Sequence, residues 1–208
     1  MITDNKTRCT WASSAPDFPH YHDTEWGFPV DADQRLFEKL CLETFQAGLS
    51  WRTILSKREN FRLAFDNFDF HKVAQFGEQE IAELLNNEGI VRNKRKILAV
   101  INNAKRALEM IEQEGSLAAF IWRYEPDENT LPPPETQTTC PESVALSKEL
   151  KKRGWQFVGP TTMYAFMQSM GLINDHAEDC FMREEVDKAR KNFKQRSDRK
   201  NFYKKIYF

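Results

Sequence analysis

Apolar residues recur every three or four positions along almost the whole chain, and no stretch alternates for long enough to mark a strand. That periodicity predicts an all-α fold. Asp33 opens a helix carrying Leu36, Leu40 and Ala47, and Ser50 is placed to cap a short one beginning at Trp51. Asp69 precedes a helix over 71–75, and Ile81, Leu84 and Leu85 mark another over 78–85. After a connection in which Gly89 is free to take positive φ, Asn93 caps a long helix with Ile97, Ile101, Ala104, Leu108 and Ile111 inward. Residues 78–111 therefore read as a helix-hairpin-helix unit. A further helical stretch covers 116–124. Residues 126–141, with Pro132, Pro133 and Pro134, read as a surface loop. Pro141 suits the first turn of a helix ending at Gly154, and Pro160 opens one with Met163, Phe166, Met167 and Met170 inward and Gly171 as its stop.

At 208 residues the chain suits a single domain with a sizeable core. A net charge of -1 excludes strong overall attraction to a polyanion, so any such site must be a local patch. One basic segment stands out: from Arg183 to Phe208 there are ten Lys or Arg against four acids. Residues 1–183 are expected to form the domain and 184–208 a basic C-terminal extension, read as a solvated helix or frayed end. No apolar run is long enough to span a bilayer, and the first residues lack the apolar core of a signal peptide, so a cytoplasmic protein is expected. Four cysteines are too few for a disulfide scaffold at this length.

Two of those cysteines have histidine companions. Cys9 and His22 lie near the start, His176 and Cys180 near the end, and the last two would share one side of a helix at that spacing. All four are good metal-ligand types, and one ion could tie the two ends of the chain together, although a buried Cys or a lone His also serves ordinary packing. Glu43 falls on the stripe of Leu36 and Leu40, which turns to the core. A carboxylate there either caps a neighbouring element or faces a polar cavity kept for a ligand. Trp11, Phe18, Tyr21, Trp26 and Trp51 surround it in sequence, a supply of flat faces suited to core packing or to stacking on a base or a cation. Arg92, Lys94, Arg95 and Lys96 crowd the start of the long helix, where free backbone N–H groups favour phosphate; a solvated first turn is the plainer reading.

Cys9-Thr-Trp11, Tyr21-His22-Asp-Thr-Glu-Trp26-Gly, Leu42-Glu43-Thr-Phe-Gln-Ala-Gly48-Leu49-Ser-Trp51 and Gly171-Leu-Ile-Asn-Asp175-His176 with Cys180 resemble the motifs of the bacterial 3-methyladenine DNA glycosylase I (Tag) family over about Arg8 to Cys180. The resemblance implies a helix-hairpin-helix DNA glycosylase fold closed by a structural zinc on Cys9, His22, His176 and Cys180. It makes Glu43 the carboxylate that contacts the damaged adenine and Tyr21 its polar companion. Trp11 and Trp51 would stack on the base and Trp26 wall the pocket. Gly48 and Leu49 match the loop that approaches the gap in the DNA stack, and Phe18 stands where relatives commonly have tyrosine.

The activity so implied is hydrolysis of the N-glycosidic bond of 3-methyladenine in alkylated double-stranded DNA, without a Schiff base; a monomer is expected, since a compact enzyme working on duplex DNA needs no symmetric partner. The alternative is a non-catalytic, zinc-stabilised DNA-binding module whose aromatics form only core.

Overall fold

A computed structural model describes residues 4–195. The chain is all-α, with no strand among the described residues. Its helices are α1 (Phe18–Thr24), α2 (Asp33–Gln46), α3 (Trp51–Ser56), α4 (Arg58–Ala64), α5 (Phe70–Val73), α6 (Glu78–Asn86), α7 (Lys94–Glu114), α8 (Leu117–Ile121), α9 (Pro141–Lys152), α10 (Pro160–Ser169) and α11 (Arg183–Gln195). Trp11 lies on a short 3-10 turn, Thr10–Ser13, that precedes α1.

The molecule is built around α2. Every residue from Leu36 to Phe45 is buried, and the helix packs on α3, α7, α8 and α10. A helix buried on all sides has to satisfy its polar side chains from neighbouring elements rather than from water. Glu38 does so with Arg62 of α4, Oε1 to Nη2 at 2.7 Å. Lys39 and Glu43 turn towards α1 and α3, and this is where the candidate site forms.

Helix starts follow their caps. The side chains of Ser50, Asp69 and Asn93 accept backbone N–H groups at the starts of α3, α5 and α7, as their chemistry predicts. Asp33 opens α2 as expected, with Ala32 before it, and its carboxylate accepts the Ala118 N–H of α8 at 2.9 Å. Ala47 lies just past α2 and is exposed. Gly89 keeps negative φ, so positive φ is not what the α6–α7 connection asks of it. A Cβ there would lie 3.0 Å from both the Asn60 side chain and Asn87 Oδ1, so it is close approach that favours glycine.

On α10, Met163, Phe166 and Met167 are buried, with Met170 just after it, and α9 lies alongside. The loop over 126–141 carries one 3-10 turn, Glu128–Thr130. Within the basic C-terminal segment, α11 buries Val186, Arg190 and Phe193, and Phe193 packs on Trp122 with ring centroids 4.4 Å apart. Arg190 reaches Glu125 at 2.9 Å. Residues 196–208 lie outside the described residues.

Candidate active site and metal cluster

Successive residues of α1 serve two sites. Tyr21 and His22 differ by about 100° around a helix, so Tyr21 faces α2 and α3 while His22 faces the chain ends.

On the His22 side, one ligand atom from each of Cys9, His22, His176 and Cys180 lies within 4.8 Å of the others, all four residues being buried. Cys9 Sγ is 3.6 Å from His176 Nδ1, and Cys180 Sγ is 3.5 Å from both His176 Nδ1 and His22 Nε2. Tetrahedral bonds of about 2.3 Å to sulfur and about 2.0–2.1 Å to nitrogen put S and N about 3.6 Å apart. The group thus has the dimensions to hold a metal.

The opposite ring nitrogens are also occupied. His22 Nδ1 pairs with Asp23 at 2.8 Å, and Asp23 is clasped by Arg8 at 2.7 Å; His176 Nε2 donates to the Trp26 carbonyl at 3.2 Å. Such outer bonds fix ring orientation. Burial pushes the Cys9 thiol up to about 12, against a hydrogen bond from the Ala177 N–H, and pulls the His176 imidazole down to about 4. His176 and Cys180 are not on a helix as their spacing suggested. They sit in a turn in which the Cys180 N–H donates to the Ala177 carbonyl at 3.0 Å, and the turn itself brings them together. Gly27 closes the cluster from above: its φ is +85°, and a Cβ would lie 3.1 Å from His176 Nε2.

On the Tyr21 side, Glu43 is 4% exposed and burial raises its pKa, opposed by Lys39. Lys39 Nζ lies 3.3 Å from Glu43 Oε1, donates to Tyr21 Oη at 2.6 Å, and sits 3.6 Å from the Trp51 ring centroid. Burial lowers the Lys39 ammonium to about 8, and burial followed by the Glu43 charge pushes Tyr21 well above 10. The Trp51 indole N–H is buried without a partner. Beside these groups lies a cavity of about 120 Å³ lined by Tyr21, Lys39, Leu42, Trp51, Arg58 and Met170 among others. Arg58 closes one edge with a two-pronged bond to Glu25, at 2.7 and 2.9 Å.

Trp11 and Trp26 stand on the far side of Tyr21. The Trp11 ring is 6.3 Å from Tyr21 and 5.0 Å from Trp26, and both tryptophans border a separate cavity of about 290 Å³ with Gln168 and Asp175. Tyr21 is itself 5.4 Å from Trp51. The structure therefore places Tyr21 beside Trp51, links both to Glu43 through Lys39, and joins Trp11 and Trp26 to Tyr21 in one apolar cluster. Trp26 also packs edge-on against His176 at 4.6 Å, so the Cys/His cluster and the aromatic wall are one packed unit. Phe18 meets the Trp11 ring at 5.7 Å. Lys39 was absent from the expected site, although it shares the stripe of Leu36, Leu40 and Glu43 at helical spacing.

A second surface is formed by the connection after α2. Gly48 takes φ +78° over open space, and Leu49 next to it is 42% exposed. Arg92, Lys94 and Arg95 are exposed around the start of α7. Lys96 is not. It is 6% exposed, and its Nζ donates to the carbonyls of Phe45 and Ala47 at 2.7 and 2.5 Å, where α2 ends. It fastens the Gly48 loop to the start of α7.

The methyladenine glycosylase family profile matches residues 11–184. The chain belongs to that family. It is 47% identical to the DNA-3-methyladenine glycosylase of Haemophilus influenzae, over 84% of this chain and 96% of that relative. With DNA-3-methyladenine glycosylase 1 of Escherichia coli the identity is 44%, over 83% and 95%. A crystal structure of 3-methyladenine DNA glycosylase I superposes with a TM-score of 0.77 at 45% identity, covering 84% of this chain and 98% of that one. The Staphylococcus aureus enzyme, solved to explain its recognition of 3-methyladenine, superposes with the same score at 35% identity, over 85% and 96%.

Proposed function

We infer that the protein is a DNA-3-methyladenine glycosylase, which hydrolyses the bond between the alkylated base and its sugar and leaves an abasic site. The observation that carries the reading is a buried positive charge, the Lys39 ammonium, held by the carboxylate of Glu43 and lying over the Tyr21 and Trp51 rings: a cage built for a cation. Methylation at N3 gives adenine such a charge, so the lesion differs from normal adenine in the property this cage selects.

The chemistry needs little acid catalysis, because a cationic base is already a good leaving group. The protein has to hold the extruded nucleotide, at a cost of roughly a few kcal/mol for unstacking, and favour the charged base over the neutral one. Glu43 does this as an electrostatic partner in a water-poor site, and Trp51 adds cation–π attraction. Trp51 Nε1 offers a buried donor to the base edge. Cleavage leaves an oxocarbenium-like sugar that water captures.

The exposed Leu49 on its Gly48 turn, fastened by Lys96 beside Arg92, Lys94 and Arg95, would face the DNA. In this arrangement α6, its connection and α7 serve as the helix-hairpin-helix that grips the phosphate backbone, with residues 1–183 as the glycosylase domain and 184–208 as its basic extension. The Cys9, His22, His176 and Cys180 cluster would hold one zinc ion; four protein ligands leave no open position, so the ion's part is structural. The protein is expected to act as a monomer on alkylated duplex DNA. Among the described residues no helix is long and apolar enough to cross a membrane.

The test is excision by Glu43→Gln. A folded variant that excises 3-methyladenine at the wild-type rate would overturn the part given to Glu43. DNA binding without any excision by the native chain would favour the non-catalytic module.

A further inference from the structure

The place reserved for a cationic base is already taken by a side chain of the protein. Lys39 is 6% exposed, and its ammonium lies 3.3 Å from Glu43 Oε1, 3.6 Å from the Trp51 centroid and 4.8 Å from the Tyr21 centroid. These are the groups that the proposed function, on which this inference rests, gives to the lesion. One carboxylate beside an ammonium that lies over two rings neutralises one positive charge, and a second ammonium-sized charge in a buried cage is strongly disfavoured. The adjoining cavity, about 120 Å³, is small for a ligand site, as expected where the lysine fills part of the space.

We propose that Lys39 is a specificity-determining residue that acts as the pocket's internal cation: it fills the base site when empty, yields to the alkylated base while that base is charged, and returns once cleavage has made the base neutral. The charges balance. When the glycosidic bond breaks, both its electrons stay with the base and cancel its positive charge. The charge passes to the sugar and is quenched by water, whose proton goes to solvent. Neutral 3-methyladenine then competes with an ammonium that the Glu43 carboxylate prefers, and is expelled. Ordinary adenine, neutral throughout, meets the same competitor on entry and is refused.

Burial brings the Lys39 charge towards neutral pH among the groups that face it. Tyr21, from α1, stays protonated because burial and Glu43 push it well above 10. Glu25 is bonded to Arg58 of α4, and Glu38, which lines the same cavity, to Arg62. Arg35 lies 3.7 Å from Glu25 at the rim. The partner on its own helix is Glu43, one turn on. With burial lowering Lys39 to about 8, its ammonium is a competitor that mild alkali removes.

The experiment measures binding of free 3-methyladenine and of adenine to the full chain and to Lys39→Met by tryptophan fluorescence, at about pH 7 and about pH 9.5. At the lower pH the variant should bind 3-methyladenine about ten-fold tighter than wild type and discriminate less against adenine. At the higher pH wild type should tighten and the gap close, which loss of packing alone would not produce. Equal or weaker binding by a folded Lys39→Met, or a gap that ignores pH, overturns the proposal. If the variant does not fold, wild type alone decides: affinity rising between the two pH values supports it, and constant affinity overturns it. Wild type that binds no base at either pH removes the pocket reading, and this proposal with it.

Discussion

Glu43 carries most of the account at the scale of single residues. Its pKa is raised by burial, so the carboxylate that favours a cationic base is lost, as pH falls, earlier than an ordinary glutamate would lose it. Excision should therefore decline on the acid side above the usual carboxylate range. In Glu43→Gln that limb should vanish and excision should drop by about a hundred-fold or more, with the helical circular dichroism unchanged. Gly27 is the second residue whose replacement is decisive. At φ +85°, with its Cα hydrogen towards His176, Gly27→Ala should lower stability by about 1–3 kcal/mol in chemical denaturation, and a variant as stable as wild type would contradict the packing described. Glu43 was legible in the sequence because a carboxylate on an apolar stripe is an anomaly. Lys39 was not, although it shares the stripe: a lysine four residues before a glutamate reads as an exposed ion pair, and only burial of α2 on every side converts it into an internal one.

Among the elements, α2 and the start of α7 act together through Lys96. Its two bonds to Phe45 and Ala47 satisfy carbonyls at the C-terminus of α2, where a cation is favoured. Lys96→Met should cost about 1–3 kcal/mol in stability and loosen the Gly48 loop. The neighbouring Arg92, Lys94 and Arg95 should behave differently: replacing all three by alanine should leave stability nearly unchanged but weaken DNA binding, and should flatten its dependence on salt by about 0.9 in log–log slope for each phosphate no longer neutralised. Unchanged DNA binding and salt dependence in the triple variant would show that these exposed side chains do not face DNA. Sequence periodicity marked most of these helices, and Ser50, Asp69 and Asn93 cap where their chemistry placed them. What it could not reveal was tertiary: whether one lysine of a basic run bonds to another helix's end, or whether a Cys and a His four apart lie on a helix or in a turn.

For the whole molecule, the Cys/His cluster and the aromatic wall meet at Trp26, so the stability of the chain ends and the shape of the site should be linked. If the cluster holds zinc as proposed, treatment with a chelator, or replacing Cys180 by Ser, should lower the melting temperature by several degrees, and elemental analysis should find one ion per native chain and none in the variant. A metal-free protein of equal stability would reject the clasp. The α11 helix joins that whole by burying Val186 and Phe193, which a count of its charges did not suggest; the apolar pair is hidden among basic residues. The most direct test of the central claim is to incubate the purified protein with methylated duplex DNA and separate the released bases by chromatography. The account predicts free 3-methyladenine, with 7-methylguanine retained in the DNA. No released base, from protein shown to be folded and metal-loaded, would contradict it.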